Sequence, residues 1–194
     1  MSIRIFVEGN DDKKFIVTLL NDLKKNKEIE VADNVNFNAC IEVMGCKSTL
    51  LDSSHLKYQK VSSKIGFEIK EVLFIFDCDF EKDDKNCNGM YKSNKCFENL
   101  IKNLNWNITI ENSSHLHIFD RNLDYFLVET IKNKDCYKDF KSLIDCLDIE
   151  NLKPNKKPIA NLYRDLYPYP QFDFKDDRFD DLKQKLKNLF KEQK

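Results

Sequence analysis

The sequence predicts an α/β protein with a mostly parallel sheet flanked by helices and a helical C-terminal extension. Three observations predict it. Residues 72–76 are an unbroken apolar run of the kind that parallel sheets bury on both faces, and Ile3-Arg4-Ile5-Phe6-Val7 is a second, β-rich run. Each run ends in acid, at Glu8-Gly9-Asn10-Asp11-Asp12 and at Asp77-Cys78-Asp79. Strand-like and helical spacings alternate to about residue 120, after which helices dominate. The expected organisation is a core over residues 1–120 with a mainly helical extension, 121–194, packed on it as one compact unit.

After the first strand, Asn10 is placed to cap a helix whose apolar residues Phe15, Leu19, Leu20 and Leu23 follow helical spacing. Polar residues 24–30 close that helix into a loop. A second strand is expected within 35–43, where Val35, Phe37, Ala39 and Ile41 alternate with Asn36, Asn38 and Cys40. Gly45 follows, and Ser48 is placed to cap a helix that carries Leu51, Tyr58 and Ile65 and ends near Gly66. The strand over 72–76 comes next.

Residues 81–92 are charged, contain Gly89 and lack periodicity, which predicts a loop beside Asp79 and a candidate active-site flap. Cys96, Phe97, Leu100, Ile101 and Leu104 mark an amphipathic helix. Residues 106–110 and 116–119 are two short β-like runs. Leu123, Phe126, Leu127 and Ile131 define another helix, and Phe140, Leu143, Ile144 and Leu147 a further one. Pro154 and Pro158 punctuate the later chain, and Tyr167-Pro168-Tyr169-Pro170 is a rigid connector. The last helix carries Phe179, Leu182, Leu186, Leu189 and Phe190 on one stripe.

Composition sets the outer limits. A chain of 194 residues, 41% hydrophobic and with 15 Phe, suits one domain with a real core. No apolar stretch approaches the ~20 residues that span a bilayer, and the N-terminus enters a strand without a signal-peptide pattern, so no membrane and a cytoplasmic location are expected. Seven Cys without a C-x-x-C pair predict free thiols, with Cys40, Cys78, Cys96 and Cys146 as packing residues. His115 and His117 alternate on a strand-like run without a second ligand pair, so zinc is not expected. A net charge of −1 is not the footprint of a strong nonspecific nucleic-acid binder. The basic residues of 183–194 fit a solvated helix face better than a nucleic-acid patch.

The acids carry the chemistry. With a side-chain period of two, Asp77 and Asp79 are expected on one side of their strand, able to share a cation. Parallel sheets collect their strand ends at one edge, where open α/β folds bind ligands, so Glu8 and Asp12 are expected nearby. Asp also suits turns, and Asp11 and Asp12 suit the first turn of a helix. Several like charges gathered at one edge nevertheless repel unless a cation stands among them.

Val7-Glu8-Gly9-Asn10-Asp11-Asp12 resembles the first motif of TOPRIM domains, in the E-G-x-x-D form of the overcoming-lysogenization-defect (OLD) nuclease branch, matched by Glu8, Gly9 and Asp12. Phe76-Asp77-Cys78-Asp79 is similar to the second motif, D-x-D. Gly45-Cys46-Lys47 resembles the glycine-lysine turn of that branch, with Met44 replacing a preceding Gly. Asn122-Leu123-Asp124-Tyr125-Phe126-Leu127 is similar to the N-L-E-x-x-L segment of small bacterial TOPRIM-like proteins, with Asp replacing Glu. Residues 157–166, 172–174 and 179–190 look like their C-terminal blocks.

The resemblance implies a TOPRIM-like, Rossmann-like fold in which Glu8, Asp77 and Asp79 hold Mg2+ or Mn2+ and catalyse phosphodiester hydrolysis. It places Asp12, and to a lesser degree Asp124, beside the metal, with Glu8 alternatively a general base. Gly9, Gly45 and Lys47 fall on the substrate side. The implied partners are DNA or RNA and an ATPase protein. The alternative is a non-catalytic accessory or regulatory module. A haloacid-dehalogenase phosphatase would use Asp77 as nucleophile and Asp79 as acid, but it wants a small residue and Thr or Val next, where Phe80 and Glu81 stand. A glycosyltransferase D-x-D lacks the preceding nucleotide-sugar domain.

Overall fold

Among the described residues, four strands, all parallel, form one sheet in the order β2-β1-β3-β4. The computed structural model describes residues 2–79, 87–131 and 174–191, with residues 139 and 142. β1 is Ile3–Val7, β2 Ile41–Val43, β3 Glu71–Asp77 and β4 Leu116–Phe119. β1 and β3 pair along their whole length, from Ile3 against Glu71 to Val7 against Ile75. The expected α/β class with a parallel sheet and a packed C-terminal helix is what the described residues form.

Alternate residues of these strands feed two cores, one on each face of the sheet. Ile3, Ile5, Val7, Leu73, Ile75 and Phe119 face α1 (Asn10–Lys25), α6 (Leu123–Ile131) and the last helix, α7 (Asp180–Lys191). Phe6, Val72, Phe74, Phe76 and Leu116 face α3 (Leu56–Ser62) and α4 (Met90–Leu104). Burial on both faces explains why residues 72–76 of β3 read as a continuous apolar run rather than an alternating one, whereas the half-buried Arg4 breaks the run of β1. On the second face Phe6 stacks on Phe74 with ring centroids 5.0 Å apart, and Tyr58 tilts against Phe6 at 5.1 Å. On the first face the stripe Leu182, Leu186, Leu189 and Phe190 closes α7 onto the sheet, as its spacing predicts.

Several elements differ from expectation, each for a local reason. Gly9, not Asn10, is the N-cap of α1, and Asp12 Oδ2 accepts the Gly9 N–H at 2.7 Å. Only residues 41–43 of the expected second strand are extended. Phe37–Cys40 is a 3-10 turn, because the Asn36 side chain accepts the Asn38 N–H and diverts the backbone. The helix expected after Gly45 is two: α2 (Lys47–Leu50), capped at Cys46 rather than Ser48, and α3. Asp52, whose Oδ1 accepts from Ser54 N and Oγ, makes the turn that separates them.

Further along, α4 begins at Met90, so the expected loop over 81–92 is helical at its end. Residues 80–86 lie outside the described residues. Residues 106–110 form no strand; Trp106, Ile108 and Ile110 instead pack singly against the second core. A single turn, α5 (Asn112–His115), leads into β4. Cys87 and Cys96 form a disulfide, which corrects the expectation of free thiols and of Cys96 as a packing residue. Cys40, Cys46 and Cys78 are free, and of these Cys40 and Cys78 are buried as expected. Of the helix expected over Phe140 to Leu147 only Ser142 is described, and it is helical; the rest of that helix, Cys146, the later prolines, and the resemblance at 157–166 and 172–173 fall outside the described residues. No described helix is long and apolar enough to cross a membrane.

Candidate functional site

From β1 the chain moves outward to β2 on one side, while β3 and β4 lie on the other. The switch point is therefore between β1 and β3, and open α/β sheets form their ligand crevice at the carboxyl ends of such strands. Glu8 directly follows β1 and Asp77 ends β3, so both carboxyl groups are delivered to that crevice.

There they meet. Glu8 Oε1 accepts the Asp77 backbone N–H at 2.8 Å. Asp77 Oδ1 in turn accepts the Leu123 N–H at 3.1 Å, at the first turn of α6. Burial pushes the Glu8 carboxyl up to about 7, against the Asp77 hydrogen bond and with help from the charges of Asp12 and Asp79. Burial also raises Asp12 to about 6, opposed by its Gly9 bond and reinforced by Asp11 and Asp124. Asp77 is raised well above the usual carboxylate range, again by burial first and then by Glu8, Asp12 and Asp79. Asp124, in the first turn of α6, enters through its charge on Asp12. The crevice thus gathers acids whose ionisation is mutually unfavourable.

Asp79 arrives differently from expectation. The strand ends at Asp77, and Asp79 takes a left-handed conformation with φ +58, so strand alternation no longer sets its direction. Its N–H donates to the Arg121 carbonyl at 2.7 Å, and Arg121 is also left-handed, at φ +61. Two adjacent left-handed non-glycine residues are backbone strain of the sort that clusters at functional sites. Sequence reasoning missed Arg121, because the strain depends on β3 and β4 ending side by side.

Lys47 lies deeper than the substrate-side role implied. It is 8% exposed, and its Nζ donates to the Cys78 carbonyl at 2.9 Å and to Asp79 Oδ2 at 3.3 Å. Phe76 supports the ammonium from one side, its ring centroid 5.9 Å away. A fixed cation is thereby built into the acid cluster. Gly45 places this lysine: it turns the chain at φ +105, where a Cβ would be strained, while its N–H donates to the Glu8 carbonyl at 2.7 Å. Gly9 has an ordinary extended backbone, φ −124, so no left-handed turn demands glycine there. Beside Lys47, the exposed Cys46 thiol is held down to about 7, first by its hydrogen bond with Ser48 and then by Thr49.

Among the described residues, no three His, Cys, Asp or Glu side chains converge as a ready-made metal cage. His115 instead faces Glu71 at 3.6 Å, and His117 Nδ1 bonds Asp181 at 2.9 Å. Magnesium needs less than a cage, since one or two carboxylates and several waters hold it. Glu8 and Asp77 each commit one oxygen to a backbone N–H and retain the other, and a cation would relieve the repulsion that burial enforces. The donor set fits such an ion. No family model, curated protein or solved structure matches this chain.

Proposed function

We propose that the chain is a TOPRIM-like protein that binds Mg2+ or Mn2+ at Glu8 and Asp77, with Asp79 and Asp12 beside them, and acts on nucleic-acid phosphodiesters. One observation carries the reading: Glu8 and Asp77 are bonded to each other at the sheet's switch point, both with raised pKa values. When bound, the ion supplies charge neutralisation at a phosphodiester oxygen and a more acidic water. The chain does the rest. Glu8, raised toward neutral pH as long as no ion is bound, is alternatively a general base that takes a proton at its carboxyl group rather than a ligand. Lys47 keeps Asp79 oriented and offsets its charge. A net charge of −1 implies modest, salt-sensitive affinity for the nucleic acid, so an ATPase partner that delivers it fits the reading.

A second reading, a non-catalytic accessory module, is favoured by the structural uses of the same acids. Asp77 bonds the first turn of α6 and Asp12 closes the first turn of α1. Calorimetric titration with MgCl2 or MnCl2, followed by hydrolysis assays on DNA and RNA, separates the two. The nuclease reading expects metal binding and cleavage, each lost by orders of magnitude in Glu8→Gln and Asp79→Asn. Metal binding without cleavage, with the partner present, leaves the accessory module. A wild-type protein that binds neither ion overturns the metal site itself.

A further inference from the structure

A cavity lies at the opposite end of the same strands. It has a volume of about 510 Å3 and opens between the start of β3, the segment leading into β4, and the second half of α7. Glu71 is the first residue of β3 and Asp77 the last, so the cavity stands about 20 Å along the strand from the acid cluster.

Its charge is opposite. Lys70, Lys185 and Lys191 all line it, from two elements distant in sequence. Lys70 Nζ donates to the Gly66 carbonyl at 2.7 Å and Lys191 Nζ to Asn188 Oδ1 at 3.1 Å, both neutral acceptors. Lys185 pairs with Asp181 at 2.7 Å, a carboxylate that His117 already engages. The one acid in the lining, Glu71, has His115 Nε2 at 3.6 Å. A lysine in the last turn of α7 also complements the helix dipole, which accounts for Lys191. It does not account for Lys70, which comes from the chain before β3.

The remaining lining narrows the ligand. Thr109, Ser114 and Asn188 add neutral hydrogen-bonding groups, while Ile108 and Leu189 form an apolar wall. The volume is that of a small-molecule site rather than of a single ion. We propose that this cavity binds a phosphorylated small molecule of nucleotide size, its phosphate among Lys70, Lys185 and Lys191 and its organic part against Ile108 and Leu189. The site is independent of the metal-binding reading.

The test uses the full chain in magnesium-free buffer, titrated calorimetrically with inorganic phosphate, with AMP, and with a single-stranded oligonucleotide lacking terminal phosphates. AMP is expected to bind more tightly than phosphate, because only AMP reaches the apolar wall. Lys70 and Lys191 are exposed, so Lys70→Gln and Lys191→Gln keep the fold, verified by circular dichroism. Each is expected to weaken AMP binding roughly tenfold, the loss of one charge-assisted contact. Magnesium titration of these variants stays as in the wild type, which separates this site from the acid cluster. No binding of AMP or phosphate at millimolar concentration overturns the proposal, as does AMP binding that neither substitution weakens. Binding of the oligonucleotide alone also overturns it and assigns the lysines to a strand backbone.

Discussion

Glu8 and Asp77, 69 residues apart in the chain, are joined by one hydrogen bond, from the Asp77 backbone N–H to Glu8 Oε1 at 2.8 Å. The bond fixes the Glu8 carboxyl at the end of the neighbouring strand, where burial and nearby acids hinder its ionisation. Four measurable consequences follow from this arrangement and its surroundings.

Apo stability should fall as pH rises through neutrality. Glu8 titrates near 4.5 when unperturbed and is pushed up to about 7 in the fold. Between those values the folded protein holds the extra proton, so the contribution is present on the acid side and is lost as pH rises through about 7. Asp12 and Asp77 shift in the same direction. His117, lowered by burial, acts in the opposite sense only below its ordinary value of 6.5. Cys46 opposes the trend at higher pH, equally in wild type and variant. Urea unfolding should show wild type losing about 1 kcal/mol more than Glu8→Gln between about pH 6.5 and 8.5. Parallel pH profiles would remove Glu8 as the titrating group.

Asp77 has two separable roles. Asn retains an oxygen that can accept the Leu123 N–H, whereas Ala removes it. Asp77→Asn should therefore leave apo stability equal or higher, and Asp77→Ala should cost about 1 kcal/mol, as for a lost helix-start bond. Thermal melts with and without MgCl2 complete the comparison, because both variants should lose the ion's stabilisation. An Asn variant as unstable as the Ala variant would make the Asp77 charge a structural requirement.

Removing the built-in cation should be costly. Lys47→Met deletes two hydrogen bonds and leaves Asp79 without its ammonium in a crowded acid cluster. A loss of about 1–3 kcal/mol is expected, typical of breaking a buried polar network. Asp79→Asn, at a half-exposed side chain, should cost less. Denaturant titration of the two variants gives the order directly, and the reverse order contradicts the assignment of Lys47 as an internal counter-charge.

The disulfide between Cys87 and Cys96 spans nine residues and ties the segment before α4 to that helix. Closing a loop of this length restricts the unfolded chain by about 2–3 kcal/mol in the chain-entropy account. Non-reducing peptide mapping should find this pair linked, and Cys87→Ser and Cys96→Ser should destabilise the oxidised protein equally. Unequal effects would show that one cysteine matters through packing instead.

The sequence by itself determined the fold class, because burial on both faces makes residues 72–76 of β3 an unbroken apolar run and β1 a largely apolar one, broken at Arg4, patterns that no amphipathic helix imitates. Acids directly after those runs identified the crevice edge, and the stripe of α7 was legible because its packing face repeats with the helical period. Elements governed by a single side-chain-to-backbone bond were not legible. Asn36 and Asp52 redirect the chain through contacts that carry no periodic signal. Only the tertiary structure decided that Asp79 leaves the strand in a left-handed turn, that Lys47 points inward to its carboxylate, and that Cys87 reaches Cys96. Only it raised the cavity of Lys70, Lys185 and Lys191 at the opposite end of the strands. The physical reason is range: periodic burial is written locally along the chain, whereas strain, charge pairing and cavities arise between segments that meet only after the sheet has formed.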